Sequence, residues 1–200
     1  MPRTQAGLLL LLAALLLAGP AFAQDQRFAV RFGFIVVEPT GDTRDNGVTS
    51  ELDTKGGGEA DFEWYFHPRV GLEVAILGSA NVDVQSDGDT VAGVTFSATT
   101  LGINGHVVRS EKVDFALGIL AGGSTYGDFE VEGSTATIDT ESDTAWGAQA
   151  FVDMSVSRKW AVNVGLKYFT TQLELEDGSK IDYDPVILRV MGVYRWGKHQ

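Results

Sequence analysis

The chain contains no cysteine, so neither disulfides nor thiolate metal sites are open to it. It is short of cations, with 15 Lys and Arg against 27 Asp and Glu. That balance argues against nucleic acid as a partner, because phosphate binding needs basic patches. Histidine is scarce too: His67, His106 and His199 are the whole supply. Beyond the N-terminus no run is apolar enough to cross a bilayer as a helix. Helical periodicity is absent, and no domain boundary or tandem repeat interrupts the pattern described below.

What is present begins with the leader. Arg3, the apolar run Gly7 to Ala18, and Ala21-Phe22-Ala23 read as the charged, hydrophobic and cleavage regions of a secretory signal peptide. Cleavage before Gln24 assigns residues 1–23 to the signal and 24–200 to the mature domain. The apolar run falls short of the ~20 residues of a spanning helix, which disfavours an anchor. An exported chain without disulfides must draw its stability from a substantial core or from the membrane itself.

The stretch Glu59 to His67 shows the rule of the mature part. Its odd positions read Glu59, Asp61, Glu63, Tyr65 and His67, and its even positions Ala60, Phe62, Trp64 and Phe66. A strand alternates faces with period two, so one face is acidic and the other aromatic. A soluble sandwich would turn the aromatics inward; a membrane barrel would turn them to lipid. Similar alternation recurs near 27–38, 69–79, 93–107, 113–124, 144–156, 160–171 and 185–196. Long acidic connections (39–58, 80–92, 125–143, 172–184) alternate with tight ones at Pro68, Arg109–Lys112 and Ser157–Lys159. The fold class expected is therefore all-β. It is an eight-stranded antiparallel transmembrane β-barrel with short periplasmic turns and long extracellular loops, placed in the bacterial outer membrane.

Turning each strand's apolar parity to lipid gives an outward set that includes Phe28, Phe32, Phe34, Ile76, Val113, Ile119, Val164 and Leu188. Phe28, Phe66, Phe115, Trp160, Tyr194 and Trp196 then fall at the periplasmic rim, with Trp146 and Tyr168 at the outer one, as an aromatic girdle requires. The lower inward set carries Arg27, Arg31, Glu63, Glu73, Asp114, Asp153, Lys167, Arg189 and Arg195. These charges can pair and fill so narrow a lumen. Higher up, the inward positions are Ile35, Val37, Leu77, Val94, Phe96, Leu120, Phe169 and Ile187. The expectation is an apolar cup above a charged plug, with Glu59 and Asp61 standing against the trend at its mouth. The fourth strand is the weakest, because Gly93 to Thr100 alternates poorly, and a one-residue slip exchanges faces.

Several segments resemble the OmpW family of small outer-membrane barrels over nearly the whole mature chain. They are Phe28-Ala-Val-Arg-Phe-Gly33 with Val37-Glu-Pro-Thr40, Val70-Gly-Leu-Glu-Val-Ala75, Trp146-Gly-Ala-Gln-Ala150, Trp160-Ala-Val-Asn163, Asp184-Pro185 and Gly192-Val-Tyr-Arg-Trp196. The resemblance implies a hydrophobic upper channel over a closed polar half, taking small apolar molecules and releasing them sideways into the membrane. Two departures stand out. Ser97-Ala-Thr-Thr100 replaces the family's fourth-strand prolines, near its lateral opening. Tyr194-Arg-Trp196 supplies the terminal aromatic signal for the barrel assembly machinery, but Gly197 to Gln200 follow it.

Catalysis is not expected. His67 falls at a turn and His199 in the tail. His106 points inward with Val108, not a serine, two residues on, and Ser110 falls in a turn. Three scattered histidines make no metal set. Asp128, Glu130, Glu132, Asp139, Glu141 and Asp143 match no EF-hand spacing, Asp87-Gly-Asp89 is too short, and no cofactor is implied. The function expected is a narrow passive route or binding cup for small hydrophobic molecules. Ile35, Val37, Leu77, Phe96, Leu120, Phe169 and Ile187 would line it, and Arg31, Glu63, Glu73, Asp114, Asp153, Lys167 and Arg189 would form the plug. The other partners expected are outer-membrane lipid, lipopolysaccharide and the assembly machinery. The alternatives are a structural or adhesive surface protein and a soluble lipocalin-like carrier.

Overall fold

A computed structural model describes residues 26–39, 43–45, 48–52, 54–79, 82–86, 89–126, 129–131, 137–138, 143–174 and 180–198. The leader expected over 1–23, His199, and the loop acids Asp87, Asp128, Glu132, Asp139 and Glu141 lie outside them. Eight long strands carry the architecture: β1 (Phe28–Pro39), β2 (Lys55–His67), β3 (Val70–Ser79), β4 (Phe96–Arg109), β5 (Val113–Tyr126), β6 (Asp143–Ser155), β7 (Trp160–Glu174) and β8 (Pro185–Trp196). Each pairs antiparallel with its sequence neighbour. The β1–β8 ladder then closes the sheet, running from Phe28↔Trp196 to Pro39↔Pro185. A closed barrel has no edge strand, so its backbone is satisfied without water, the condition for crossing lipid.

The turns at one end are short: Pro68–Arg69, Ser110–Lys112 and Val156–Lys159 separate paired strands. The described termini lie at that end too, as the Arg27 N–H donates to the Trp196 carbonyl at 3.0 Å. The connections at the other end are not plain loops. Short strands at 43–45, 48–52, 82–86, 89–94, 129–131 and 137–138 pair into a second, six-stranded sheet. Lys180–Tyr183 extends β7 as a hairpin arm.

Burial follows the expected parity. Phe34 is 82% and Ile119 69% exposed on the outer surface, while their inward neighbours Ile35 and Leu120 are buried. Phe28, Phe62 and Trp196 cluster with ring centroids 5.7–6.1 Å apart, and Trp160 lies 4.9 Å from Tyr194 at the short-turn rim. Two positions depart from the expectation. Val113, assigned to lipid, is buried at the foot of β5, where its N–H and carbonyl are both held by the Ser110 hydroxyl (3.1 and 2.9 Å). Arg27, assigned to the lumen, precedes β1 and lies exposed, its guanidinium 5.8 Å from the Phe28 ring and 5.9 Å from that of Trp64.

β4 begins at Phe96, not at Gly93, because Asp89–Val94 is a separate strand of the second sheet. The side chain of Val94 is not among those described. From Phe96 the alternation is regular: Phe96, Ala98, Thr100, Gly102, Asn104 and His106 are buried. The poor signal over 93–100 is thus two strands read as one.

Candidate lumen site: a paired charge plug beneath an apolar cluster

Arg31 organises the middle of the lumen. It projects from β1 opposite Asp61 of β2, and its guanidinium donates to Asp61 (2.9 Å), Glu63 (2.6 Å) and Asp153 (3.2 Å). The ring of Phe151 lies between two guanidinium groups, 4.6 Å from that of Arg31 and 4.8 Å from that of Arg189. Above Arg31, Lys167 bridges Glu59 (2.6 Å) and Glu73 (3.2 Å), and Arg189 donates to Glu59 (2.8 Å) and Asp61 (3.5 Å). Below it, Arg195 donates to Asp153 (2.7 Å), and His106 sits between Asp114 (2.6 Å) and Glu63 (3.0 Å). Neutral donors complete the layer. Asn104 donates to Glu63 and Glu73 (2.8 and 2.9 Å), Gln149 to Glu73 (3.1 Å), and Asn163 to Asp153 (2.5 Å).

All seven residues expected in the plug are buried and belong to this network. Desolvated charges are tolerable only when paired and hydrogen-bonded, and here each cation meets two or more carboxylates. Glu59, Asp61 and Glu73 approach one another within 4.8 Å, a spacing that suits a cation. Lys167, Arg189 and Arg31 supply the positive charge at that place.

Glu59 and Asp61 therefore do not stand at the mouth of a cup. β2 starts at Lys55, four residues earlier than the alternation suggests, so Glu59 sits lower along the barrel axis, beside Leu77 of β3 at the top of the plug. Gly56-Gly57-Gly58 gave no alternation signal, which hid the true start of the strand. The plug also includes Asn104, His106, Gln149, Asn163 and Phe151, beyond the residues that the sequence assigns to it. Inward parity was the available signal for each of them.

Glycine spacing makes room for the network. A Cβ at Gly165, inward on β7, would meet Arg189 Nε and Phe151 Cβ at 2.8 Å. A Cβ at Gly71 would collide with the Glu63 carboxylate. Only the absence of a side chain lets these groups lie against the wall.

Above the plug, Ile35, Val37, Leu77, Phe96, Leu120, Phe169 and Ile187 meet in one cluster with Ala98 and Ala145, each at most 5% exposed. The seven larger side chains come from six different strands. The cluster is filled by its own side chains, so it is a packed apolar layer, not an open funnel. Below the plug, Tyr65 packs with Ala29, Ala161 and Val193, and the Arg109 guanidinium lies 3.9 Å from the Tyr65 ring. Arg109 also donates to the carbonyls of Pro68 (2.5 Å) and Gln26 (3.1 Å), drawing the short-turn end inward.

At the segment Ser97 to Thr100 the wall is continuous. Its residues pair with Gly78 to Ala75 of β3 on one side and Thr125 to Gly122 of β5 on the other.

No curated protein matches the sequence. Among solved structures, the outer membrane protein OprG from Pseudomonas aeruginosa is similar at a TM-score of 0.69 and 15% identity, over 87% of this chain and 99% of that one. The outer membrane protein AlkL, solved in lipid bilayers, is similar at 0.60 and 18% identity, over 92% and 96%. Ail, the attachment invasion locus protein of Yersinia pestis, is similar at 0.53 and 12% identity, over 86% and 98%. At such identities the likeness is one of fold. The family model described as "Outer membrane protein beta-barrel domain" matches residues 9–194. With a closed, lipid-faced barrel behind that match, the chain belongs to the outer membrane protein beta-barrel family, and its place is the bacterial outer membrane.

Proposed function

We propose that the chain is an OmpW-type barrel whose upper lumen is a binding cup for small apolar molecules. The observation that carries this reading is the convergence of seven apolar side chains from six strands over a closed charge plug. Nothing about barrel closure demands an apolar layer there, since polar side chains fill small lumens equally well. An apolar solute would enter by displacing these side chains and could not continue downward, because Arg31, Glu63, Glu73, Asp114, Asp153, Lys167 and Arg189 hold that path closed. Shape and desolvation would do the work, and no catalytic group is needed. The proposed role is a non-enzymatic one, in which His106 serves the plug through Asp114 and Glu63 and the Ser110 hydroxyl holds the foot of β5 at Val113.

The continuous ladder at Ser97 to Thr100 favours a cup over a sideways exit. For assembly we assign the terminal signal to Tyr194 and Trp196, whose rings stack 5.8 Å apart on the outer face. The same proposal has a leader at residues 1–23 ahead of the barrel domain at 24–200.

The test is uptake of an apolar fluorescent probe by cells or proteoliposomes carrying the protein. Leu120→Asp, which charges the cup, should abolish uptake while the heat-dependent gel shift of a folded barrel persists. Unchanged uptake in that variant would remove the cup from the account. A second reading, a structural or adhesive surface protein, draws on the packed state of the apolar layer and on the sheet formed by the long connections. The fold likeness to Ail, an attachment invasion locus protein by name, is compatible with it. Planar-bilayer recording separates the two. A small conductance blocked by an alkane favours the cup, and silence with no probe binding favours the surface role.

A further inference from the structure

The short-turn end carries an unbalanced charge. Among the described residues, Arg27, Arg69, Lys112, Arg158, Lys159 and Lys198 are exposed there against one carboxylate, that of Glu111, and none of the six forms an ion pair. The chain as a whole is acidic, so this concentration of cations runs against its composition. The cations sit next to the aromatic rim. Arg27 lies over Phe28 and Trp64, and Lys159 adjoins Trp160.

One part of this rim is a built concavity. A groove of about 400 Å³ opens between the Val156–Lys159 turn and the segment after β8, lined by Arg158, Lys159, Lys198, Gln26, Arg195 and Trp196. Its shape is fixed by the fold. Gln26 Nε2 donates to the Arg158 carbonyl at 2.6 Å, and the Arg195 N–H donates to that of Lys159 at 2.8 Å. Gly197 turns the chain with φ at 81°, bringing Lys198 to the groove. Arg195, at the back of the groove, is buried and bonds Asp153 through Nη2, which ties this end of β8 to the plug.

We propose that this groove is a docking site for the headgroup of an anionic phospholipid of the inner leaflet, such as phosphatidylglycerol. Three exposed cations, Arg158, Lys159 and Lys198, surround a space of headgroup size. Trp196, on the lipid-facing rim, leaves the acyl chains beside the barrel wall. A free anion would need only the cations. A membrane lipid also explains why the groove opens at the aromatic girdle, where phosphates lie. The proposal is independent of the cup.

The experiment places the full barrel in nanodiscs of phosphatidylcholine with a minor fraction of phosphatidylglycerol and reads co-retained lipid by native mass spectrometry. The wild type should retain phosphatidylglycerol preferentially. Arg158→Gln, Lys159→Gln and Lys198→Gln should each lower the preference about fivefold at low salt, the contribution of one juxtamembrane cation. The heat-dependent gel shift checks that each variant is folded. Should a variant fail to fold, a salt titration of the wild type still decides, since the preference must decline as ionic strength rises. Equal retention of both lipids, or a preference unmoved by the substitutions or by salt, would overturn the proposal. So would displacement of the lipid by millimolar inorganic phosphate, which would make the groove a site for the free anion.

Discussion

Arg31 donates to carboxylates on β2 and β6 at once, which makes it the residue whose loss should be felt most. Arg31→Leu would leave Asp61, Glu63 and Asp153 buried with too little positive charge, a change that costs about 3–5 kcal/mol. Urea unfolding from lipid vesicles measures this, and Arg27→Leu, at an exposed position, serves as the near-neutral control. Gly165→Ala should cost about 1–3 kcal/mol by forcing Arg189 and Phe151 off the wall, though alanine is the better general residue. At this scale parity made the inward charges legible one by one. Their partners were not legible, because the pairs span the lumen between distant segments. Glu59 and Arg189 are 130 residues apart, and nothing local in either strand names the other.

Alternation within a strand proved a sound guide wherever the strand had a clear start. Ile76 and Leu77, or Ile119 and Leu120, are adjacent residues on opposite surfaces, as their pattern implied. The failures came at strand ends. Three glycines concealed the first turn of β2, and the junction at Thr95 merged a loop strand with β4. Bulges add to this: the β4–β5 register shifts between His106 and Val108, near the one outward residue that is buried, Val113. The parity makes a depth-dependent prediction. Val164, midway along β7 and facing lipid, should not accept a charge: Val164→Arg should cost about 2–4 kcal/mol, whereas Tyr168→Arg nearer the outer rim should cost about 0–1 kcal/mol. Equal costs at the two positions, read from folding titrations in vesicles, would contradict the membrane placement of β7.

The whole molecule is a stack along the barrel axis: a basic rim, a small apolar floor around Tyr65, a paired plug, an apolar layer, and acidic connections with their own sheet. The barrel and its closed lower half were readable from loop lengths and face parity. The packed state of the apolar layer was not, because alternation says which side chains face inward but not whether they leave room between them. That packing leads to a prediction at this scale. Phe169→Ala should lower stability by about 3–5 kcal/mol and at the same time raise affinity for a small alkane, because the cavity it leaves is apolar and dry. Tighter packing and ligand binding compete for the same space.

Whether the apolar layer is a ligand site is open to direct measurement. In deuterated protein with protonated Ile and Leu methyls, NMR cross-relaxation from a protonated alkane reports which methyls it touches. The account predicts contacts to Ile35, Leu77, Leu120 and Ile187, while contacts from lipid chains fall on Ile76, Ile119 and Leu188. Alkane contacts confined to the second set, with the inward methyls silent, would contradict it.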